Sequence, residues 1–328
     1  MELLKISIVT TSYTLERLKD IKELLDSLES QTYRNIEMIL VTERTEELAK
    51  SIKNYISEKG YKDIEVLFNQ EEWGISAARN MGIKKAKGDI IAFIDDDAIL
   101  LPDWAEETVK TYLQDSSIIG VAGAILPLWE DERMRWFPQE FYWILSCTYW
   151  EATKITEVRN GYGANLSFRK EAFEAAGLLK TSLGVRGRGQ SGWQEPGAEE
   201  AEFSLRVKQK TGKRIVYNPL VKVKHKVYSY RIRTRFVAKR AYWEGYAKAM
   251  LKRWYKREAK EGILSTEYEL LRRILFKFFP RTLAQLPFRP VTSLRQLWLA
   301  IVVLSCVTDG YLFSTLSGLL RRGHPYVG

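Results

Sequence analysis

Trp73-Gly74-Ile75-Ser76-Ala77-Ala78-Arg79-Asn80-Met81-Gly82 and, after three more residues, Ala86-Lys87-Gly88-Asp89-Ile90-Ile91-Ala92-Phe93-Ile94-Asp95-Asp96-Asp97 together decide the fold. The first part reads as a helix over about 75–86. The second is an apolar run too short for a helix and rich in isoleucine, which makes it a buried strand over Asp89–Ile94. That strand ends abruptly in three aspartates.

Outward from this stretch the same alternation holds. Ile6-Ser7-Ile8-Val9 reads as a strand, and the polar Thr10-Thr11-Ser12-Tyr13-Thr14 follows it. A helical period runs through Leu18, Ile21, Leu24, Leu25 and Leu28, then a strand at Ile36–Val41, a helix at about 45–58 and a strand at Ile64–Phe68. Alternating elements of this kind imply an α/β fold, a Rossmann-like and mostly parallel sheet with helices on both faces. Ligands of such sheets bind beyond the carboxyl ends of the strands, so Thr11, Ser12, Tyr13, Glu43 and the aspartates become the informative residues. Past residue 120 the order is less regular: an aromatic stretch at 129–150, a strand or loop at 161–168, a glycine-rich loop at 184–197 and a helix over about 199–211. Basic helices follow residue 230. The expected division is an α/β domain over 1–228 and a helical extension over 229–328.

Three successive aspartates at the end of a buried strand are costly unless their charge is used, because each must be desolvated or paired. A hard divalent cation, Mn²⁺ or Mg²⁺, would resolve the cost, since such ions take oxygen ligands and complete their shell with substrate phosphates. The plainer alternative makes Asp97 the cap of a helix starting near Leu101-Pro102.

The quoted stretch resembles, without a gap, the signature of family 2 nucleotide-sugar glycosyltransferases with the GT-A fold. More loosely the resemblance runs from Thr11-Ser12-Tyr13, which looks like the family's Pro-Thr-Tyr turn without its proline, to His225. It implies that Asp95 helps hold the donor ribose and Asp97 binds the metal, with Asp96 between them. Glu43 stands where the family has an acidic residue that reads the base, although Val41-Thr42-Glu43 departs from the usual aspartate-rich sequence. Arg79 would approach the base or diphosphate, or remain a solvated helix charge. Gly74 would allow close backbone approach to the donor, or serve an ordinary turn.

Inverting transfer needs a carboxylate that deprotonates the acceptor hydroxyl. Pro196-Gly197-Ala198-Glu199-Glu200-Ala201-Glu202 resembles the family's Gly-Glu-Asp segment, which implies Glu200 as base and Glu199 beside it, with Glu in place of the commoner Asp. First-turn carboxylates facing a helix dipole are the bland alternative. His225, after Tyr217-Asn218-Pro219 and Val221-Lys222-Val223-Lys224, resembles the family's Tyr-x-Pro…Val-x-His strand, where it joins Asp97 at the metal or touches the diphosphate. Arg186 and Arg188 in the glycine-rich loop read as a lid meeting phosphate or a uronate carboxylate, or as plain surface.

Charge separates the two ends of the chain. Residues 1–204 carry 24 Lys and Arg against 35 Asp and Glu, whereas 205–281 carry 23 against 5. A basic region that dense suits an anionic partner. Its aromatic insertions, as in Arg272-Arg273-Ile274-Leu275-Phe276-Lys277-Phe278-Phe279, suit a helix lying in a lipid interface. The apolar segment over 297–320 is interrupted by Asp309 and Gly310, which favours a re-entrant or docked hairpin over a full span. This part is similar to archaeal glycosyltransferases of the glucuronosyl and glucosyl type that extend dolichyl-phosphate-linked glycans. That similarity implies a nucleotide diphosphate donor, UDP-sugar first, and a polyprenyl-linked acceptor at an anionic membrane surface. A soluble or polysaccharide acceptor is the second reading, and a basic nucleic-acid-binding protein the third; nucleic acid leaves the aspartates unexplained. Two cysteines without CxxC spacing indicate neither a disulfide framework nor a thiolate metal site. The N-terminus lacks a basic, then apolar leader, so the cytoplasmic face is the expected location.

Overall fold

A computed structural model describes residues 3–149, 152–185, 197–255 and 265–320. The chain packs as two units: one of Met1–Leu128, Trp150–Glu195 and Glu199–Lys226, the other of Trp129–Tyr149, Pro196–Ala198 and Val227–Gly328.

In the first unit β1 (Ile6–Ser12), β2 (Ile36–Glu43), β3 (Ile64–Asn69) and β4 (Ile90–Phe93) alternate with α1 (Leu18–Glu29), α2 (Glu46–Lys59) and α3 (Ile75–Lys85). The four strands pair in parallel, in the order β3-β2-β1-β4. Successive residues Ile6, Ser7, Ile8, Val9 and Thr10 point to opposite faces of β1 yet all are buried, so both faces of the sheet are covered. This is the expected α/β architecture. Two strands run further than their apolar cores suggest, to Ser12 and to Glu43, because β-branched Thr10, Thr11 and Thr42 continue the ladder.

Beyond β4 the sheet turns antiparallel. It adds β5 (Ala98–Leu100), β6 (Ile118–Trp129), β7 (Thr156–Val158), β8 (Leu166–Arg169) and β9 (Arg214–Val227), with α4 (Trp104–Gln114), α5 (Lys170–Ala176) and α6 (Glu199–Thr211) among them. β5 pairs with β9, setting Ala98 opposite His225. Asp97 therefore leads into a strand, and the helix-cap alternative fails: the helix begins only at Trp104, with Asp103 at its cap position.

A buried aromatic cluster lies beneath the aspartates. Phe203 stacks on Phe173 at 4.8 Å and meets Phe168 edge-on at 5.0 Å, while Phe93 of β4 abuts Phe168 and Phe173. Each such ring contributes about 2–3 kcal/mol through burial. Asn165 ties three elements together: it accepts from Trp104 Nε1 and donates to the carbonyls of Ala124 and Val221. Gly123 leaves room for it, since a Cβ there would lie 2.1 Å from Asn165 Nδ2.

The second unit holds α7 (Thr234–Trp254), α8 (Ser265–Arg273), α9 (Phe279–Ala284) and α10 (Pro290–Leu320), together with 3-10 turns at Glu132–Trp136 and Gln139–Leu145. α10 runs unbroken through Asp309 and Gly310, so the expected hairpin is not formed. A glycine inside a helix costs only about 1 kcal/mol, and Gly310 sits where α10 touches α7. A Cβ on Gly310 would fall 1.9 Å from the Tyr242 carbonyl oxygen, and one on Gly245 2.0 Å from that of Val307. Among the described residues α10 is the one helix long and apolar enough, by length and composition, to cross a membrane. Leu294, Trp298, Ile301, Phe313 and Leu316 on it are exposed.

Replacing Asn165 by leucine strands an indole N–H and two carbonyls in the core. The expected loss is about 3 kcal/mol, seen in thermal unfolding as a Tm lower by about 5–10 °C.

Candidate active site

The strand order reverses beside β1, between β2 and β4, and the polar residues gather at that end of the sheet. His225 is brought to the aspartates by the β5–β9 pairing, reinforced by the Lys226 N–H donating to the Asp97 carbonyl. Its Nε2 lies 3.0 Å from Asp97 Oδ1 and 3.9 Å from Asp95 Oδ2. One ligand atom from each of Asp95, Asp97 and His225 can be chosen within 4.8 Å of the others. Neighbouring ligands around a Mn²⁺-sized ion stand about 3 Å apart, and two hard oxygens with one imidazole nitrogen suit such an ion. The donor set fits.

Cations of the protein itself border this cluster. Arg17, in the 3-10 turn Leu15–Arg17 that follows β1, lies 3.1 Å from Asp97 Oδ2 and 2.9 Å from Asp20, and Lys226 bridges Asp20 and Glu23. Burial and the neighbouring Asp97 push Asp96 up to about 7, with Arg17 opposing. The triplet resists full ionisation without further positive charge.

Arg79 joins the triplet to the paired glutamates. It is 2% exposed, and its guanidinium meets Glu200 at 2.8 Å, Glu199 at 3.3 Å and Asp95 at 3.3 Å while lying 5.0 Å above the centre of the Phe93 ring. The two glutamates therefore sit in unlike fields. Burial and the charge of Glu200 push Glu199 up to about 8, against the pull of Arg79. Burial works against the Glu200 charge too, but Arg79 outweighs it through charge and a direct hydrogen bond and holds the carboxyl below its usual range. Glu199 Oε2 is buried with no hydrogen-bond partner, which suits a neutral carboxyl better than an anion. The shared proton is therefore biased toward Glu199 and the negative charge toward Glu200.

The remaining expected residues fall as follows. Thr11 and Ser12 end β1, and Tyr13 follows, exposed. Glu43 is buried and accepts from the Gly74 N–H and from Asn69 Nδ2. Gly74 has φ 127°, a conformation open to glycine alone in practice. Arg186 and Arg188 lie outside the described residues. Sequence reasoning missed Arg17, which no motif marks, and Gly163. A Cβ on Gly163 would fall 2.1 Å from Glu200 Oε1 and 2.3 Å from Arg79 Nη2, so this glycine makes room for the ion pair. The run Gly161-Tyr162-Gly163 was the available signal.

The model of the family described as Glycosyl transferase family 2 matches residues 7–177. The glucosyl-dolichyl phosphate glucuronosyltransferase of Haloferax volcanii is 30% identical over 316 residues, covering 96% of this chain and 97% of the relative. Among solved structures, the mannosyltransferase PcManGT from Pyrobaculum calidifontis, in complex with GDP-Man and Mn²⁺, superposes with a TM-score of 0.62 at 17% identity, over 95% of this chain and 87% of the other. GalNAc-T7 with UDP, GalNAc and Mn²⁺ gives 0.53 at 19%, over 75% and 50%. These two likenesses establish the GT-A fold.

The Glu199 environment carries a pH dependence with a definite sign. A carboxyl held protonated by the fold binds its proton more tightly than in the unfolded chain, so its share of stability is complete below about pH 4.5 and is lost as pH rises through about 8. Thermal unfolding across pH 5–9 is expected to show a decline that Glu199→Gln reduces.

Proposed function

The chain belongs to glycosyl transferase family 2, and from that premise we propose an inverting, metal-dependent transfer of a sugar from a nucleotide diphosphate donor, UDP-sugar first, to a polyprenyl-phosphate-linked acceptor. One observation carries the chemistry: a single buried guanidinium binds both the aspartate cluster and the glutamate pair.

Asp97 and His225, with Asp95 beside them, are the residues that would hold Mn²⁺ or Mg²⁺. When bound, such an ion neutralises charge on the departing diphosphate. Thr11, Ser12, Tyr13 and Gly74 line the carboxyl edge where the donor nucleoside lies, with Asp95 at the ribose. Asp96 completes the acidic end of the cleft, and Glu43 holds the Gly74 turn in place. Glu200 is the base. In the proposed single displacement the acceptor oxygen bonds to the anomeric carbon as the bond to the diphosphate oxygen breaks, and the hydroxyl proton passes to Glu200. A carboxylate of low basicity suffices because the hydroxyl acidifies as its oxygen bonds to carbon. Glu199, whose carboxyl is biased toward the protonated form, stands beside Glu200 and takes no proton itself. Arg186 and Arg188 remain proposed contacts of phosphate or a uronate carboxylate.

Two features support a lipid-linked acceptor at the cytoplasmic face of an anionic membrane. The Haloferax relative, named for a dolichyl phosphate substrate, aligns along nearly the whole chain. In the second unit the apolar exposed residues of α10 accompany exposed Leu275, Phe276 and Phe288 within a strongly basic sequence.

Asp97→Ala is expected to abolish Mn²⁺-dependent nucleotide-sugar binding measured by calorimetry. Glu200→Gln keeps that binding but loses about a hundredfold or more in transfer rate; normal turnover in that variant removes Glu200 from the role. The purified protein is also expected to sediment with vesicles rich in anionic lipid and to release progressively as salt is raised. Absence of any vesicle binding would favour a soluble acceptor.

A further inference from the structure

Arg44 stands just past β2 with φ 71°, in the left-handed region that a non-glycine residue adopts at a cost. Such strain at the carboxyl edge of a parallel sheet marks a position held for a purpose. The centre of its guanidinium lies 5.2 Å from the middle of the Tyr13 ring and 5.5 Å from that of Trp73. Both rings are open to solvent, Tyr13 at 40% and Trp73 at 38% exposure.

Three successive strand ends supply this cluster. Tyr13 follows β1, Arg44 follows β2, and Trp73 closes the loop after β3. Glu43, the neighbour of Arg44, is turned inward to the Gly74 N–H and to Asn69, so its carboxylate supports the loop that carries Trp73. β2 and β4 flank β1 on opposite sides. Their ends lie two strand spacings apart, roughly 10 Å, which is the span from the base of a nucleoside diphosphate to its terminal phosphate. Aspartates at one end of this sheet edge and an aromatic pair with a guanidinium at the other are therefore separated by a matching length.

We propose that Arg44 selects the nucleobase of the donor. Aromatic faces stack on any base, so Tyr13 and Trp73 supply affinity with little discrimination. Arginine has donors only. When the base turns its O4/O6 edge to Arg44, uracil through O4 or guanine through O6 accepts from it, whereas at that same edge cytosine and adenine carry an amino group that faces it donor to donor. The selection is therefore for a keto base, and it rests on the nucleotide-sugar reading of the site.

Calorimetric titration of UDP, GDP, CDP and ADP into the full-length protein, at fixed Mn²⁺, tests this. The wild type is expected to bind UDP or GDP about tenfold or more tightly than CDP and ADP, and the UDP and GDP arms identify which keto base is preferred. Arg44→Gly accommodates the positive φ without strain; it is expected to fold with an unchanged or higher Tm and to lose the discrimination. Arg44→Lys, which keeps the charge without the planar fork, loses most of it. Trp73→Ala weakens all four nucleotides alike. Discrimination that survives in Arg44→Gly, or a wild type that prefers CDP or ADP, overturns the proposal. A wild type that binds none of the four overturns the nucleotide-sugar reading and this one with it.

Discussion

The buried Arg79 guanidinium is the interaction on which the rest of the site depends. Taking one cation and three carboxylates out of water costs several kcal/mol per ion after relaxation, and the arrangement stands because each charge is answered at hydrogen-bond distance or neutralised by a proton. The side chain comes from a helix that precedes β4, while its partners come from the tip of β4 and from the start of α6, more than a hundred residues later in the chain. Phe93 beneath it couples this polar knot to the aromatic core. Removing the guanidinium would leave the charges of Glu200 and Asp95 unanswered beside Glu199, so donor side and base side are held by one group.

Much of this was legible in the amino-acid order. Alternating apolar runs and helical periods are local signals, and they located β1 to β4, α1 to α3 and α6 to within a few residues. The three aspartates stood out because clustered charge at the end of a buried strand is hard to explain otherwise, and the paired glutamates through the resemblance of their segment to the family's Gly-Glu-Asp. What escaped was nonlocal. Ala98–Leu100 is too short to be a strand by its own preference and exists through pairing with β9, which is why a helix start near Leu101 was the reasonable expectation. Arg17 carries no motif, and its nearness to Asp97 follows from a 3-10 turn after β1 that packing creates. In the same way Asp309 and Gly310 looked like an interruption, yet the glycine is where two helix backbones come together.

Gly245 on α7 and Gly310 on α10 each face a main-chain carbonyl of the other helix at a distance no side chain could occupy. Small residues at crossing points let helices gain dispersion contacts along their length without relying on the removal of apolar surface from water. Arg253 of α7 adds a polar tie, donating to the carbonyl of Ser314. The pair thus coheres through its inner seam, and the exposed leucines and aromatics of α10 are left free of that duty.

The β9 strand has a consequence beyond placing one imidazole. Val221, Val223, His225 and Val227 turn inward, and Lys222, Lys224 and Lys226 alternate with them on the other face. A shift of that strand by a single position would swing an ammonium into the spot where the ring nitrogen now faces two carboxylates. The same slip would turn Val221, Val223 and Val227 outward and drive the lysines into the core, so burial of those valines is what holds the register and keeps an imidazole at the candidate metal site. Strand alignment thereby decides which side chain faces the two carboxylates.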